Sequence, residues 1–242
     1  MTAVANDIQL SQIAPDPIIP LEAQFPNEPG EWVRYARHIA GKTRQIRPRV
    51  VFIGDSITQG WGIDGLDEWN TRFSDLPSSN LGIGGDRTQN VLWRIGDGAL
   101  DGITPELVVL LVGVNNLWSE VDHWSPKRVS EGVCAVVAAV RAACASAHVL
   151  ALGVLPTQAD PDHPLRGIVR AVNAHSAATL PTADGNVQFV DIGHLFLEPD
   201  GTISPDIMHD ACHLTARGYT IFANAIAPLI NRMLAGNAHN AK

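Results

Sequence analysis

Four short, mainly apolar runs mark this chain: RVVFIG at 49–54, ELVVLLVGV at 106–114, VLALGVL at 149–155 and VQFVDI at 187–192. A strand that shows one face to water alternates apolar and polar side chains. A strand covered on both faces has no such need, and its sequence reads as a continuous apolar stretch. Between the runs lie segments of helical spacing, so strand and helix alternate along the chain. The pattern predicts an α/β domain with a parallel sheet and helices on both faces.

The intervening elements can be placed on the same grounds. GEWVRYARHIAGK (30–42) carries Trp32, Tyr35, Ala36 and Ile39 at helical spacing, a weaker strand is expected near 79–83, and helices are expected from about 87 to 96, from 126 to about 145 and around 164–180. Ser125 stands as N-cap before Pro126 at the first helical position, and Thr215 plays the capping part for the last helix. Residues 1–30 are rich in proline and poor in periodicity, which predicts an extended arm ahead of one domain spanning 31–242. With 242 residues, 45% of them hydrophobic, the chain has material for one large core.

Composition excludes several classes. Seventeen basic against twenty-five acidic residues give a formal charge of −8 with no clustered Lys/Arg run, so nucleic acid is not the expected partner. The first 25 residues lack the charged start and apolar stretch of a secretory signal, and no run approaches the roughly 18 residues of a membrane span; a cytoplasmic location and no membrane insertion are the expectation. Cys134 and Cys144 fall on one expected helix, about 15 Å apart at its rise per residue, and Cys212 stands alone, so no disulfide framework is expected.

An open parallel sheet binds ligands beyond the carboxyl ends of its strands, so the residues after each run are where chemistry is sought. After the first run come Gly54, Asp55 and Ser56, a turn that either caps a helix or presents a hydroxyl to a carbonyl. NLGIGG (80–85) follows the weak strand and lets backbone approach a ligand closely; it lacks the third glycine of a dinucleotide fingerprint, Arg87 standing in that place. Asn115 and Asn116 end the third run, where an amide either braces a turn or donates to a ligand oxygen. Beyond the fifth strand, Asp210 precedes His213 by three residues, a spacing that lets a carboxylate orient an imidazole; His209 and His194 are rival bases in the same region. Nucleophile, base, orienter and oxyanion donors at one sheet edge are the parts of an acyl-transfer site.

The four blocks GDSITQG, NLGIGG, GVNN and DACH, in this order, resemble those of the SGNH (GDSL-type) hydrolases, and NLGIGGDRTQNVLWRI with GVNN is similar to the branch of the platelet-activating factor acetylhydrolase Ib catalytic subunits. The resemblance implies a flavodoxin-like three-layer α/β/α fold with a five-stranded sheet in the order 2-1-3-4-5. By block position it implies Ser56 as nucleophile, His213 as base and Asp210 as its orienter, with the Ser56 N–H, the Gly85 N–H and the Asn115 side chain as oxyanion donors. Asn116 stands where the wider family often has Asp. No Gly-x-Ser-x-Gly string is present, which separates the chain from the ordinary α/β-hydrolases.

This reading calls for no cofactor and no metal; Asp206, His209, Asp210 and His213 are the nearest thing to a ligand set. Trp61, Trp118 and Arg87 are the candidate substrate contacts, while Trp32, Trp69 and Trp93 are expected in the core. By family analogy the expected reaction is hydrolysis of short acyl esters, acetyl above all, of a carbohydrate or other small alcohol. A lysophospholipase or thioesterase with a longer acyl pocket and a non-catalytic flavodoxin-like binding module are the alternatives, and a homodimer is the expected assembly.

Overall fold

The computed structural model describes residues 16–24, 28, 30–73, 75–118, 124–182 and 185–240, with side chains to 236. Five parallel strands, β1 (Val50–Gly54), β2 (Ser78–Gly82), β3 (Leu107–Leu111), β4 (His148–Leu152) and β5 (Val187–Val190), form one sheet in the order β2-β1-β3-β4-β5. The expected fold and strand order are therefore observed.

The helices are α1 (Glu31–Ile46), α2 (Ser56–Gln59), α3 (Leu66–Phe73), α4 (Thr88–Gly96), α5 (Val114–Leu117), α6 (Pro126–Ala143), α7 (Pro164–Thr179) and α8 (Ala216–Asn240). Every residue of β1 and β3 is buried, which is why their sequences are continuous apolar runs. β2 is an edge strand and reads SSNLG: its buried Ser79 pairs its hydroxyl with that of Thr43 on α1. Edge position accounts for the weak signal there.

Alternate side chains of the strands feed two cores. Val50, Phe52, Val109 and Leu150 meet Phe73 of α3 and Phe222, Ile226 and Ile230 of α8 on one face. Val51, Ile53, Val108 and Val149 meet Val91 and Ile95 of α4 and Val133, Val136 and Val140 of α6 on the other, where α7 lies beside α6. Ser125 caps α6 by accepting from the Arg128 N–H at 3.2 Å, and Thr215 accepts from the Gly218 N–H at 3.2 Å. The arm packs along this scaffold in its described part: Pro17 O accepts from Thr88 Oγ1, and Leu21 exchanges backbone and side-chain bonds with Gln89 and Asn90. Residues 1–15 lie outside the described residues.

Several boundaries differ from the sequence expectation. α1 runs to Ile46 rather than 42 and stops where Arg47, at φ 51°, turns left-handed and donates to Thr43 O. The apolar run to 114 is strand only to Leu111; its last residues bury as the turn into α5. α3 and α5 were not expected as helices, and α2 only as the helix that the turn at Asp55 and Ser56 could cap; all three are shorter than the window in which helical periodicity can be read. Cys134, Cys144 and Cys212 are free, and no described helix is long and apolar enough to cross a membrane.

Trp61 is a correction. It was expected to wall a substrate pocket, yet it is 1% exposed and packs against Phe52, Phe73, Tyr219 and Phe222 with ring centroids between 4.9 and 6.2 Å. The gap between the sheet and α8 takes its ring. The cluster carries a large share of that core. Phe222→Ala should therefore lower unfolding free energy by about 3–5 kcal/mol in urea titration, and a loss under 1 kcal/mol would mean the cluster repacks freely.

Candidate active site

The strand order reverses beside β1: the chain passes from β1 to β2 on one side and returns to β3 on the other. Register then levels the strand ends, Gly54 pairing with both Gly82 and Leu111. The segments that follow these three residues open on a common crevice, the place where a sheet of this kind takes its ligand.

At the end of β1 the backbone passes under α2 with no room for a side chain. A Cβ on Gly54 would stand 2.1 Å from Leu111 O and 2.3 Å from Thr58 Oγ1. Asp55 caps α2, its Oδ1 accepting from the Ile57 N–H at 3.0 Å. Ser56 is thereby the first helical residue, half-buried, with its N–H outside the helix's own bonding pattern.

His213 reaches this hydroxyl from 157 positions away: Ser56 Oγ and His213 Nε2 are 2.9 Å apart. On the other side of the ring, Asp210 Oδ2 lies 2.6 Å from Nδ1, and Asp210 Oδ1 accepts from the N–H groups of Cys212 and His213 at 3.0 and 2.7 Å. Burial works against the charge on Asp210, but the His213 ring and these backbone donors outweigh it and hold the carboxyl at about 2. A permanent carboxylate at Nδ1 selects the tautomer with its proton there, leaving the Nε2 lone pair toward Ser56.

The turn carrying these residues is closed by an antiparallel bridge between Met208 and Leu214 and by the His209 N–H donating to His213 O at 3.2 Å. At its tip Ala211 sits at φ 60°, held there because its carbonyl accepts from Gln158 N and Thr157 Oγ1 in the loop after β4. Tyr219, buried on α8, donates its hydroxyl to Ile57 O at 2.7 Å and so ties the helix behind His213 to the helix of Ser56. Sequence reasoning missed Tyr219; its fixed place one turn inside α8 was the only available signal.

The glycine turn lies alongside. A Cβ on Gly84 would be 3.8 Å from the Ser56 Cβ, and Gly84 N–H donates to Gln59 Oε1. Gly85 adopts φ 78° with open space where a side chain would be. Asn115, half-buried at the start of α5, donates from Nδ2 to Asp86 O at 2.9 Å, which brings its amide to the glycine turn. Asn116 faces inward instead: its amide bonds Thr88 and Gln89 at the start of α4.

Of the remaining candidates, Trp118 is 44% exposed three residues beyond Asn115, and residues 119–123 that follow it lie outside the described residues. Arg87 is half-buried at the head of α4, its backbone N–H accepted by Asn90 Oδ1. Trp32 and Trp93 meet at 5.2 Å with their rings tilted 57° and Trp69 packs on Phe52, as expected of core residues. His194 lines a separate cleft with Arg170 and Asp191, and His209 turns toward Asp210, 3.7 Å from its Oδ2. Neither rival meets Ser56.

Behind the site lies a charged cluster that sequence reading did not single out. Arg94, 2% exposed, donates to Leu81 O at 2.6 Å and Gly54 O at 3.0 Å and pairs with Asp86 at 2.7 Å, while Trp32 Nε1 donates to Asp86 Oδ1. Its signal was an arginine on the apolar stripe of α4, between Val91 and Ile95. Burial raises the Asp86 carboxyl to about 6 despite Arg94, and burial, with Asp86 nearby, raises Asp55 to about 7.

A profile of the GDSL-like Lipase/Acylhydrolase family matches residues 52–221. Platelet-activating factor acetylhydrolase IB subunit alpha1 of Homo sapiens is 37% identical over 206 residues, covering 85% of each chain, and subunit alpha2 of Rattus norvegicus is 33% identical over 89% of this chain and 90% of that one. Among solved structures, a GDSL-like lipase from Bacteroides thetaiotaomicron superposes with TM-score 0.65 at 22% identity, covering 83% of this chain and 97% of the other. An acetylxylan esterase from Geobacillus stearothermophilus gives 0.57 at 20%, covering 74% and 92%.

Asp55 gives a testable consequence. Its folded carboxyl titrates near 7 against 3.8 when free, so the native state holds this proton more tightly. The stability it contributes is complete below about pH 4 and is lost as pH rises through 7, an effect of a few kcal/mol in order of magnitude. Asp55→Asn keeps the cap and removes the titration. Its stability relative to wild type should therefore rise between pH 4 and 8 in urea unfolding, whereas parallel profiles would show that Asp55 is not the group responsible.

Proposed function

Given that this chain belongs to the GDSL-like lipase/acylhydrolase family and is a carboxylic ester hydrolase, we propose that Ser56 is its nucleophile, His213 its general base and Asp210 the residue that orients His213. The observation that carries this reading is the unbroken relay Ser56 Oγ, His213 Nε2, His213 Nδ1, Asp210 Oδ2, with links of 2.9 and 2.6 Å on either side of the ring.

As Oγ attacks the ester carbonyl, its proton passes to Nε2, and the imidazolium is balanced by the Asp210 carboxylate. The developing oxyanion is received by the N–H groups of Ser56 and Gly85 and by the Asn115 amide. Asn115 Nδ2 carries two N–H bonds, and the one given to Asp86 O aims the group while the second serves the oxyanion. The protonated Nε2 then donates to the departing alkoxide, which leaves as the alcohol. A water enters, gives its proton to Nε2 and attacks the acyl-enzyme; Ser56 recovers its proton and the carboxylic acid leaves.

For substrate we take a short acyl ester, acetyl first. The names of the relatives support this, since both an acetylhydrolase and an acetylxylan esterase release acetyl groups from otherwise unlike alcohols. The alcohol side of the crevice would be bordered by Trp118, exposed beyond Asn115, with Arg87 at the head of α4 within the same arc of loops.

Three measurements test this. Ser56→Ala should abolish both nitrophenyl acetate hydrolysis and covalent labelling by a fluorophosphonate; a labelled Ser56→Ala protein would place the nucleophile elsewhere. Asn115→Ala should lower kcat by about 10²–10³ with little change in KM, and activity within a factor of two of wild type would remove Asn115 from the oxyanion site. Across a series of acyl lengths, kcat/KM should fall steeply beyond four carbons, while a flat or rising series would point to a longer acyl pocket.

A further inference from the structure

We propose that His209, Asp210 and His213 form a surface site for a divalent transition metal, zinc in the first place, whose occupation switches the esterase off. The inference rests on the reading of His213 as the general base.

The site is a product of the turn. The Met208–Leu214 bridge and the bond from His209 N–H to His213 O set residues 209 and 213 opposite each other across two antiparallel segments. Side chains of such a pair leave on the same face. Their rings accordingly lie nearly parallel, centroids 6.0 Å apart with 20° between planes. Asp210 projects between them, its Oδ2 being 2.6 Å from His213 Nδ1 and 3.7 Å from His209 Nε2. One ligand atom from each residue falls within 4.8 Å of the other two.

Ligands about 2.1 Å from a tetrahedral zinc stand roughly 3.4 Å apart, so the three atoms need only small shifts to enclose an ion. Two imidazoles and a carboxylate are a donor set that suits zinc and excludes magnesium, which prefers oxygen and keeps its water. The side chains are 55, 45 and 42% exposed, which leaves an entry path and room for water in the fourth position.

Occupation would change what His213 can do. In the metal-free turn Nδ1 carries the ring proton toward Asp210 and Nε2 offers its lone pair to Ser56. A metal takes the Nδ1 lone pair, and Asp210 passes from hydrogen-bond acceptor to ligand. The displaced proton moves through solvent to Nε2, so the ring stays neutral and no redox partner is needed. Nε2–H can then donate to Ser56 Oγ but cannot accept its proton. His209 has no part in the relay itself and serves only the metal.

The full chain, stripped with chelator, is assayed for nitrophenyl acetate hydrolysis against rising zinc, with binding to the Ser56→Ala protein followed by calorimetry. Expected are one zinc per chain, inhibition reversed by chelator, and no effect of magnesium. His209→Ala should keep the metal-free rate within about a factor of two and raise the zinc concentration for half-inhibition at least tenfold. Equal inhibition of His209→Ala, or no zinc bound by Ser56→Ala, overturns the proposal and leaves the assignment of the relay intact. Zinc held by His209 and His213 with hydrolysis undiminished also overturns the switch, and in that case it is His213 as base that has failed.

Discussion

One buried guanidinium holds the frame of this site. Arg94 sits between the two strand ends that must be level, donating to Gly54 O at the end of β1 and Leu81 O near the end of β2, and it pairs with Asp86 directly after the glycine turn. The Asp86 carbonyl in turn accepts the amide of Asn115 from beyond β3. Three consecutive segments of the crevice are thus referred to a single cation. Such an arrangement is costly to desolvate, and removing one partner from a buried pair of this kind typically costs about 3–5 kcal/mol. Its worth lies in position rather than in net stability: the Gly54 carbonyl already accepts from the Ile83 N–H, and a fixed fork of donors reaching it and the Leu81 carbonyl together sets the spacing of the two strand ends.

The second constraint is the distance in sequence between the groups that meet. Ser56 belongs to the first strand's exit and His213 to a turn near the start of the last helix, so their 2.9 Å separation depends on how α8 docks. Three contacts contribute to that docking beside the bonds of α8 to α3. Tyr219 donates to Ile57 O, Trp61 fills the space between sheet and α8, and Ala211 O is held from the loop after β4. None of these residues belongs to the relay, yet each holds a segment beside one of its members. The same turn that brings His213 to Ser56 also places His209 across from it, so the proximity of the two rings has the same geometric origin as the Ser56–His213 contact.

Legibility followed burial. β1, β3 and β4 were visible because strands sealed on both faces need apolar residues throughout, and α6 announced itself through Ser125 and Pro126. β2 and the short helices α2, α3 and α5 were faint or invisible, the first being a polar edge and the others spanning too few residues to show a period. Ser56, Asn115, Asp210 and His213 could be singled out because each follows a strand or precedes a helix, whereas Gly85 was picked out of its glycine turn by the family resemblance. Trp61 was misplaced because a tryptophan beside a site motif has the same sequence signature whether it turns outward or inward. Arg94 and Asp86 escaped notice since a lone charge on an apolar stripe reads as a surface residue until its partner, eight positions upstream and in another element, is seen.

Hydrophobic pattern and motif spacing thus determined that this chain forms a parallel sheet with helices on both faces, and which residues stand at its chemical edge, because both follow from period and order along the backbone. Tertiary structure alone decided that Trp61 closes the core, that Asn116 braces α4 while Asn115 bonds the Asp86 carbonyl after the glycine turn, and that His213 rather than His194 or His209 meets Ser56. Those outcomes depend on which side chains fill a shared volume and which donors reach a shared carbonyl, and neither quantity is carried by local sequence.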